Sequence, residues 1–404
     1  MRLTATLGAS AIALSAAAGA ASAEDLHMIV CGDDTGAGIP KQAALIEQWE
    51  SENEGFDVTV EFVPWGQCQE KSTTLAAAGN PPAIAYMGSR TLKQLAKNDL
   101  IVPMELTDEE KATYAAPILG TVTWDGKVWG VPRAFSTKAL FYNKDLFEAA
   151  GLDPEAPPTT WDEMYEAAKA IKDNTEADGF GLAAASFDNT MHQFLNYVYT
   201  NGGAVIDENG EIVFNSENNV QALEFYGKLA EVSQPGPVAY DRAKLTPLFS
   251  EGQIGMLISG PWVRSDVGDQ VNYGIAPIPV GPMGGPGTLL ITDSLTVFKG
   301  SGMEDQARDL VKLLTNPDNQ VEFEIGEGFT PLRPDLPQVA ELVAEDPSWE
   351  PFLAAIPTGG PEPFVTDYVG MQDAINEAVQ GVVLGEVDAA EAIEYAAEML
   401  EDYK

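Results

Sequence analysis

Thiol, imidazole and metal chemistry have little to work with in this 404-residue chain: two cysteines, Cys31 and Cys68, and two histidines, His27 and His192. Neither histidine falls in a metal-ligand or triad spacing, so both are expected to be structural, and no metal or cofactor is expected. A different combination is plentiful, flat apolar rings together with planar polar groups. Trp65, Tyr86, Phe187, Trp262 and Tyr273, with Phe135, offer faces to C–H surfaces. Asp33, Asp34, Gln67, Arg133, Asp188, Asn189, Asp293 and Arg333 offer paired hydrogen bonds to adjacent hydroxyls. Such a set suits a sugar or polyol. Taken singly, each residue is as well explained by loop solvation, and the set gains weight only if the fold gathers it into one crevice.

A second chemistry overlaps the first. Lys41, Arg133, Arg264 and Arg333 are cations in a chain with few of them, and Ser89, Ser186 and Ser259 add donors beside helix starts. That constellation would hold a phosphate, sulfonate or carboxylate, so a charged sugar derivative stays open.

The elements that position these residues begin after a leader. Residues 1–23 carry Arg2, a small apolar stretch over 7–18 and the exit Ala21-Ser22-Ala23, which predicts a secretory signal cleaved after Ala23. The apolar stretch is too short to span a bilayer. Some 380 mature residues exceed what one core supports, so two domains are expected. With 62 acidic against 22 basic residues and a net charge of −40, nucleic acid and anionic membranes are poor partners. An oxidising compartment favours a Cys31–Cys68 disulfide.

Hydrophobic periodicity predicts strands at 25–30, 56–63 and 83–87 alternating with helices at 40–53, 67–78 and 89–98. This indicates parallel βαβ units with the crevice at the carboxyl ends of the strands, hence the loops 32–40, 64–67 and 88–90. A two-one-three strand order places Cys31 and Cys68 near the ends of adjacent strands, which supports their pairing. Asp125-Gly126 centres a tight turn between extended segments. A second α/β series follows, with strands at 139–143 and 180–184 and helices at 144–150, 161–173 (capped by Thr159 or Thr160) and 190–200.

From Trp124 onward the chain resembles the family 1 extracellular solute-binding proteins, the group that includes maltose-binding protein. Tyr142-Asn143-Lys144-Asp145-Leu146-Phe147 followed by Pro158-Thr159-Thr160-Trp161-Asp162-Glu163 is similar to one family signature. Phe249-Ser250-Glu251-Gly252-Gln253-Ile254-Gly255-Met256 with Ser259-Gly260-Pro261-Trp262 is similar to a second, and Tyr273-Gly274-Ile275-Ala276-Pro277-Ile278-Pro279 to a third. The resemblance implies a two-lobed periplasmic binding protein fold of the second type, its lobes joined by crossings near residues 133–136, 288–294 and 334–338. Residues 24–134 plus 293–335 would form the first lobe, and 137–290 plus 340–404 the second. It implies a monomer in the periplasm that closes on a sugar, oligosaccharide or glycosylated polyol and delivers it to the permease subunits of an ABC importer, with Trp262 stacking on the sugar ring. It implies no catalysis. A polyamine carrier, a chemoreceptor-coupled binding module and a glycoside hydrolase using a pair such as Asp33 and Asp188 are the alternatives.

Overall fold

Eight strands carry the architecture: β1 (Glu24–Cys31), β2 (Phe56–Val63), β3 (Ile84–Gly88), β4 (Val131–Ser136), β5 (Ala139–Asn143), β6 (Met256–Ser259), β7 (Tyr273–Ala276) and β8 (Leu289–Val297). They belong to a computed structural model that describes residues 23–207 and 209–403, with only the backbone of Asp188. The leader, Ala23 excepted, lies outside the described residues. Among the described residues no helix is long and apolar enough to cross a membrane.

β1 is central and pairs in parallel with β2 and β3, which gives the expected two-one-three order. Its last four residues are buried, as a strand covered on both faces requires, whereas β2, at the edge, alternates half-buried and exposed positions over 56–59 and is buried only at Val63. Two antiparallel strands extend the sheet: β8 aligns Asp293 with Gly88, and β4 aligns Phe135 with Thr292. Cys31 and Cys68 form the expected disulfide across a Cα–Cα distance of 5.4 Å, tying the end of β1 to the helix Trp65–Ala77. Asp125 and Gly126 both take positive φ, 52° and 70°, in the tight turn between two short strands.

The second sheet departs from the parallel pattern. β5 lies between β6 and β7 and runs antiparallel to both. The chain between β5 and β6 goes largely into helices, including Trp161–Asn174, Asp188–Thr200 and Glu217–Leu229. The strand expected at 180–184 does not form a ladder. At Leu182 a side-chain amide substitutes for a partner strand: Leu182 N donates to Gln234 Oε1 at 3.0 Å, and Gln234 Nε2 donates to the Leu182 carbonyl at 2.7 Å. Thr160, one of the two expected caps, closes a capping box with Glu163.

Two large cores separate the lobes. One runs from Leu26 to Phe135 and resumes with Leu290, Leu295 and Leu332; the other gathers Leu140, Trp161, Phe194, Tyr226, Leu289 and Ile375. A smaller cluster around Phe141 and Phe249 takes in Trp349 and Phe352. Chain segments that pass between the cores are stitched by threonines. Thr137 Oγ1 donates to the Phe352 carbonyl at 2.8 Å, Lys138 N donates to Thr288 Oγ1 at 2.8 Å, and Leu289 N donates to Asn196 Oδ1 at 2.9 Å.

Candidate functional site

A cavity of about 790 Å³ opens between the two lobes, within the range of small-molecule sites. The first lobe contributes one face of the helix Trp65–Ala77, where Trp65, Gln69 and Thr73 recur every four residues, and the short turn holding Arg90 and Thr91. The crossing segments contribute Ala134, Phe135, Ser136, Lys138, Ile291 and Asp293. From the second lobe come Phe187, Asn189, His192, Gln193, Arg242, Trp262 and Tyr368. Trp65 is 49% exposed and Phe187 44%, rings left in water on opposite lobes. Trp65 is held edge-on by Tyr86, with ring centroids 5.2 Å apart.

Two glycines make room for site side chains. A Cβ on Gly88 would lie 2.5 Å from Arg90 Nη1, and one on Gly260 would lie 2.3 Å from the Trp262 ring. The Gly260-Pro261-Trp262 run therefore seats the indole against backbone, which a larger residue at 260 would prevent.

At the base of the cavity a charged network joins the lobes. Arg90 Nη1 lies 3.3 Å from both Asp293 Oδ1 and Glu362 Oε2. His192 Nε2 sits 2.6 Å from Glu362 Oε1 and 2.9 Å from Tyr368 Oη, while Tyr86 Oη donates to Asp293 Oδ2 at 3.3 Å. Burial pushes the Glu362 carboxyl up, but Arg90 and His192, with the hydrogen bonds of His192 and Tyr368, outweigh it and hold the group at about 2. Burial raises Asp293, against the pull of Arg90.

Of the residues expected from sequence, Trp65, Phe187, Trp262 and Asp293 line the cavity, as do Phe135 and Asn189. Tyr86 stands behind Trp65 and Asp293 without lining it. Ser89 is buried beside Arg90, its Oγ without a hydrogen-bond partner. The Asp188 side chain lies outside the described residues.

The other candidates are placed elsewhere. Asp33 and Asp34 are exposed, and Asp33 caps its own loop by accepting from Thr35 N at 2.9 Å. Gln67 is exposed and is two residues off the face that carries Trp65 and Gln69. Arg133 is 1% exposed inside the first lobe, donating to the Leu314 carbonyl at 2.8 Å and Gln42 Oε1 at 2.9 Å, with Phe323 beneath its guanidinium. Arg333 is likewise spent on Thr113 and the Thr315 carbonyl. Tyr273 pairs with Asn143 at the end of β5 away from the crossing and packs on Phe141 and Phe249. Of the remaining cations, Lys41 pairs with Glu322 at 2.7 Å and Arg264 with Asp346 at 2.7 Å.

The sequence reading missed Gln69, Lys138, Arg242, Glu362 and Tyr368 as site residues. Arg90 fell within the loop 88–90 that strand polarity singled out, and His192 was assigned a structural role only. Lys138 had a usable signal, a lone cation in the junction between two apolar strands.

A two-lobed α/β scaffold with an aromatic-lined cavity between its halves defines a ligand-binding protein. The profile described as bacterial extracellular solute-binding protein matches residues 34–321, and the chain belongs to that family. A protein of Brucella abortus (strain 2308), named as a binding protein, is 28% identical over 93% of this chain and 92% of its own length. A solute-binding protein of an ABC transporter from Thermotoga lettingae, solved with α-D-tagatose, is similar over 94% of this chain and 99% of that one, with a TM-score of 0.80 and 26% identity. The maltose-bound MalE3 of T. maritima is similar over 94% and 100%, with a TM-score of 0.79 and 26% identity.

Proposed function

We propose that this solute-binding protein captures a sugar, oligosaccharide or glycosylated polyol in the inter-lobe cavity, closes over it, and is read in its closed form by the permease subunits of an ABC importer in the periplasm. Cleavage of the leader after Ala23 and action as a monomer belong to the same reading. The observation that carries it is the pair of exposed rings, Trp65 and Phe187, contributed by opposite lobes to one cavity that also holds Gln69, Asn189, Gln193 and Asp293. Aromatic faces bury the C–H surfaces of a pyranose while amides and carboxylates take its hydroxyls. The tagatose-bound and maltose-bound neighbours support the sugar class.

Contacts from both lobes make ligand binding and closure one equilibrium, because the closed form alone offers the full set of partners. The proposed lobes, 24–134 plus 293–335 and 137–290 plus 340–404, would turn about the threonine-stitched crossings at Thr137, Lys138 and Thr288. A polyamine would need an excess of carboxylates, whereas among the described residues Glu70, Asp293 and Glu327 in the cavity wall are matched by Arg90, Lys138 and Arg242. A thermal-shift screen over neutral sugars, sugar acids, polyols, amino acids and polyamines tests the reading. A carbohydrate at a hundred times its Kd stabilises the folded form by about 2.7 kcal/mol. A shift from amino acids or spermidine with none from any carbohydrate would overturn the proposal, and so would consumption of a sugar by the purified chain.

A further inference from the structure

Lys138 occupies an unusual position for a lysine. It lies between β4 and β5, at the crossing between the lobes, and is 3% exposed while lining the cavity. Its backbone is pinned by Thr288, as described above. Its ammonium donates to Ser136 Oγ at 2.7 Å and sits 4.7 Å from the centroid of the Trp262 ring. Among the described residues no carboxylate lies within ion-pair distance of it, and an ammonium has three donors to satisfy.

The nearby acids are committed to other partners. Asp293 is engaged by Arg90 and Tyr86, and Glu362 by Arg90, His192 and Tyr368. A second cation, Arg242, has its guanidinium carbon 4.5 Å from the same indole, so two like charges crowd one ring. Burial, and after it the charge of Arg242, holds Lys138 well below the usual lysine range, against the pull of Glu362 and Asp293. A lysine withdrawn from water with no carboxylate in contact is costly, and an apolar side chain would fill this space without that cost.

We propose that the solute carries an anionic group, a carboxylate, sulfonate or phosphate, that accepts a hydrogen bond from Lys138 Nζ at the crossing end of the cavity beside Trp262. The proposal rests on the sugar-binding reading and narrows it to acidic sugars. Ser136, Lys138 and Trp262 would form the acidic subsite, and the exposed rings Trp65 and Phe187 would receive the remainder of the sugar.

Calorimetric titration of the full chain with matched probes tests this: D-glucose against D-glucuronate, glucose 6-phosphate and 6-deoxy-6-sulfoglucose, and D-galactose against D-galacturonate. At least one acidic probe is expected to bind about tenfold or more tightly than its neutral parent, as a charge-assisted hydrogen bond in a buried site requires. The arm that wins identifies the acid. In Lys138→Met that preference is expected to fall below about threefold. A neutral parent that binds as tightly as its acids overturns the acidic subsite and leaves sugar binding standing. Binding by none of these probes overturns the acidic subsite, and the wider thermal-shift screen then decides separately whether sugar binding itself falls. Retention of the acid preference in a folded Lys138→Met variant also overturns it, and if that variant does not fold, the wild-type ratios decide alone.

Discussion

Replacing Glu362 by glutamine removes the charge on which the inter-lobe network converges while keeping its shape. In the folded chain this carboxyl is held at about 2, against an ordinary glutamate value of 4.5. At 1.36 kcal/mol for each pH unit, the difference corresponds to roughly 3 kcal/mol of stability contributed by the ionised form. The folded carboxyl releases its proton more readily than the unfolded one, so this stability is fully present above about pH 4.5 and is lost as the pH falls toward 2. Glu362→Gln is therefore expected to unfold roughly 2–4 kcal/mol more easily than wild type at pH 7, with Arg90 and His192 deprived of a shared carboxylate. The deficit should shrink to about half that near pH 3, where the wild-type carboxylate is already losing its advantage. Urea denaturation followed by tryptophan fluorescence at the two pH values measures both differences. A deficit of equal size at pH 7 and pH 3 would show that glutamine disturbs packing instead, and the charge network would lose its assigned role.

Three further outcomes are expected. Trp65→Ala should change stability by less than about 1 kcal/mol, because the ring is half exposed, yet weaken carbohydrate binding about tenfold or more through loss of the stacking face; calorimetry beside thermal melts separates the two. Removing the Cys31–Cys68 link, which closes a separation of 37 residues, should cost about 2–4 kcal/mol in denaturant midpoint measurements made with and without reductant. Glu324 is buried and pushed up to about 7, so the folded form keeps its proton longer than the unfolded one. This group therefore lowers stability by about 3 kcal/mol as the pH rises from 4.5 through 7, and Glu324→Gln should flatten that slope in a pH series of unfolding curves.

Much of the first lobe was legible in the sequence because its signals are local. The apolar run of β1, the alternation of β2 and the strand-end rule for loops pointed to Trp65 and to the loop that holds Arg90. Secretion and strand adjacency pointed to the Cys31–Cys68 pair, and Asp125-Gly126 and Thr160 announced their own turn and cap. The failures come from partners distant in sequence. Arg133 and Arg333 looked like ligand cations until Gln42, Gln320 and the carbonyls of Leu314 and Thr315 turned out to absorb their donors. Gln67 and Gln69 are alike in composition, and only the start of the helix at Trp65 decides which one shares the aromatic face. Tyr368 lines the cavity and Glu362 backs its Arg90 and His192, in a segment whose residues 360–361 pair with β8, a contact between segments some seventy residues apart that no local pattern announces. The ladder expected at 180–184 failed for a related reason: its backbone bonds go to separate segments, Gly181 to Met256, Ala184 to Tyr240 and Leu182 to the Gln234 side chain.

Small-angle X-ray scattering of the purified chain, recorded alone and with each carbohydrate that raises its melting temperature, most directly tests capture by lobe closure. Capture between hinged lobes predicts a smaller radius of gyration with at least one of them, returning to the free value after dialysis. Superimposable curves with and without a saturating, tightly bound sugar would contradict it.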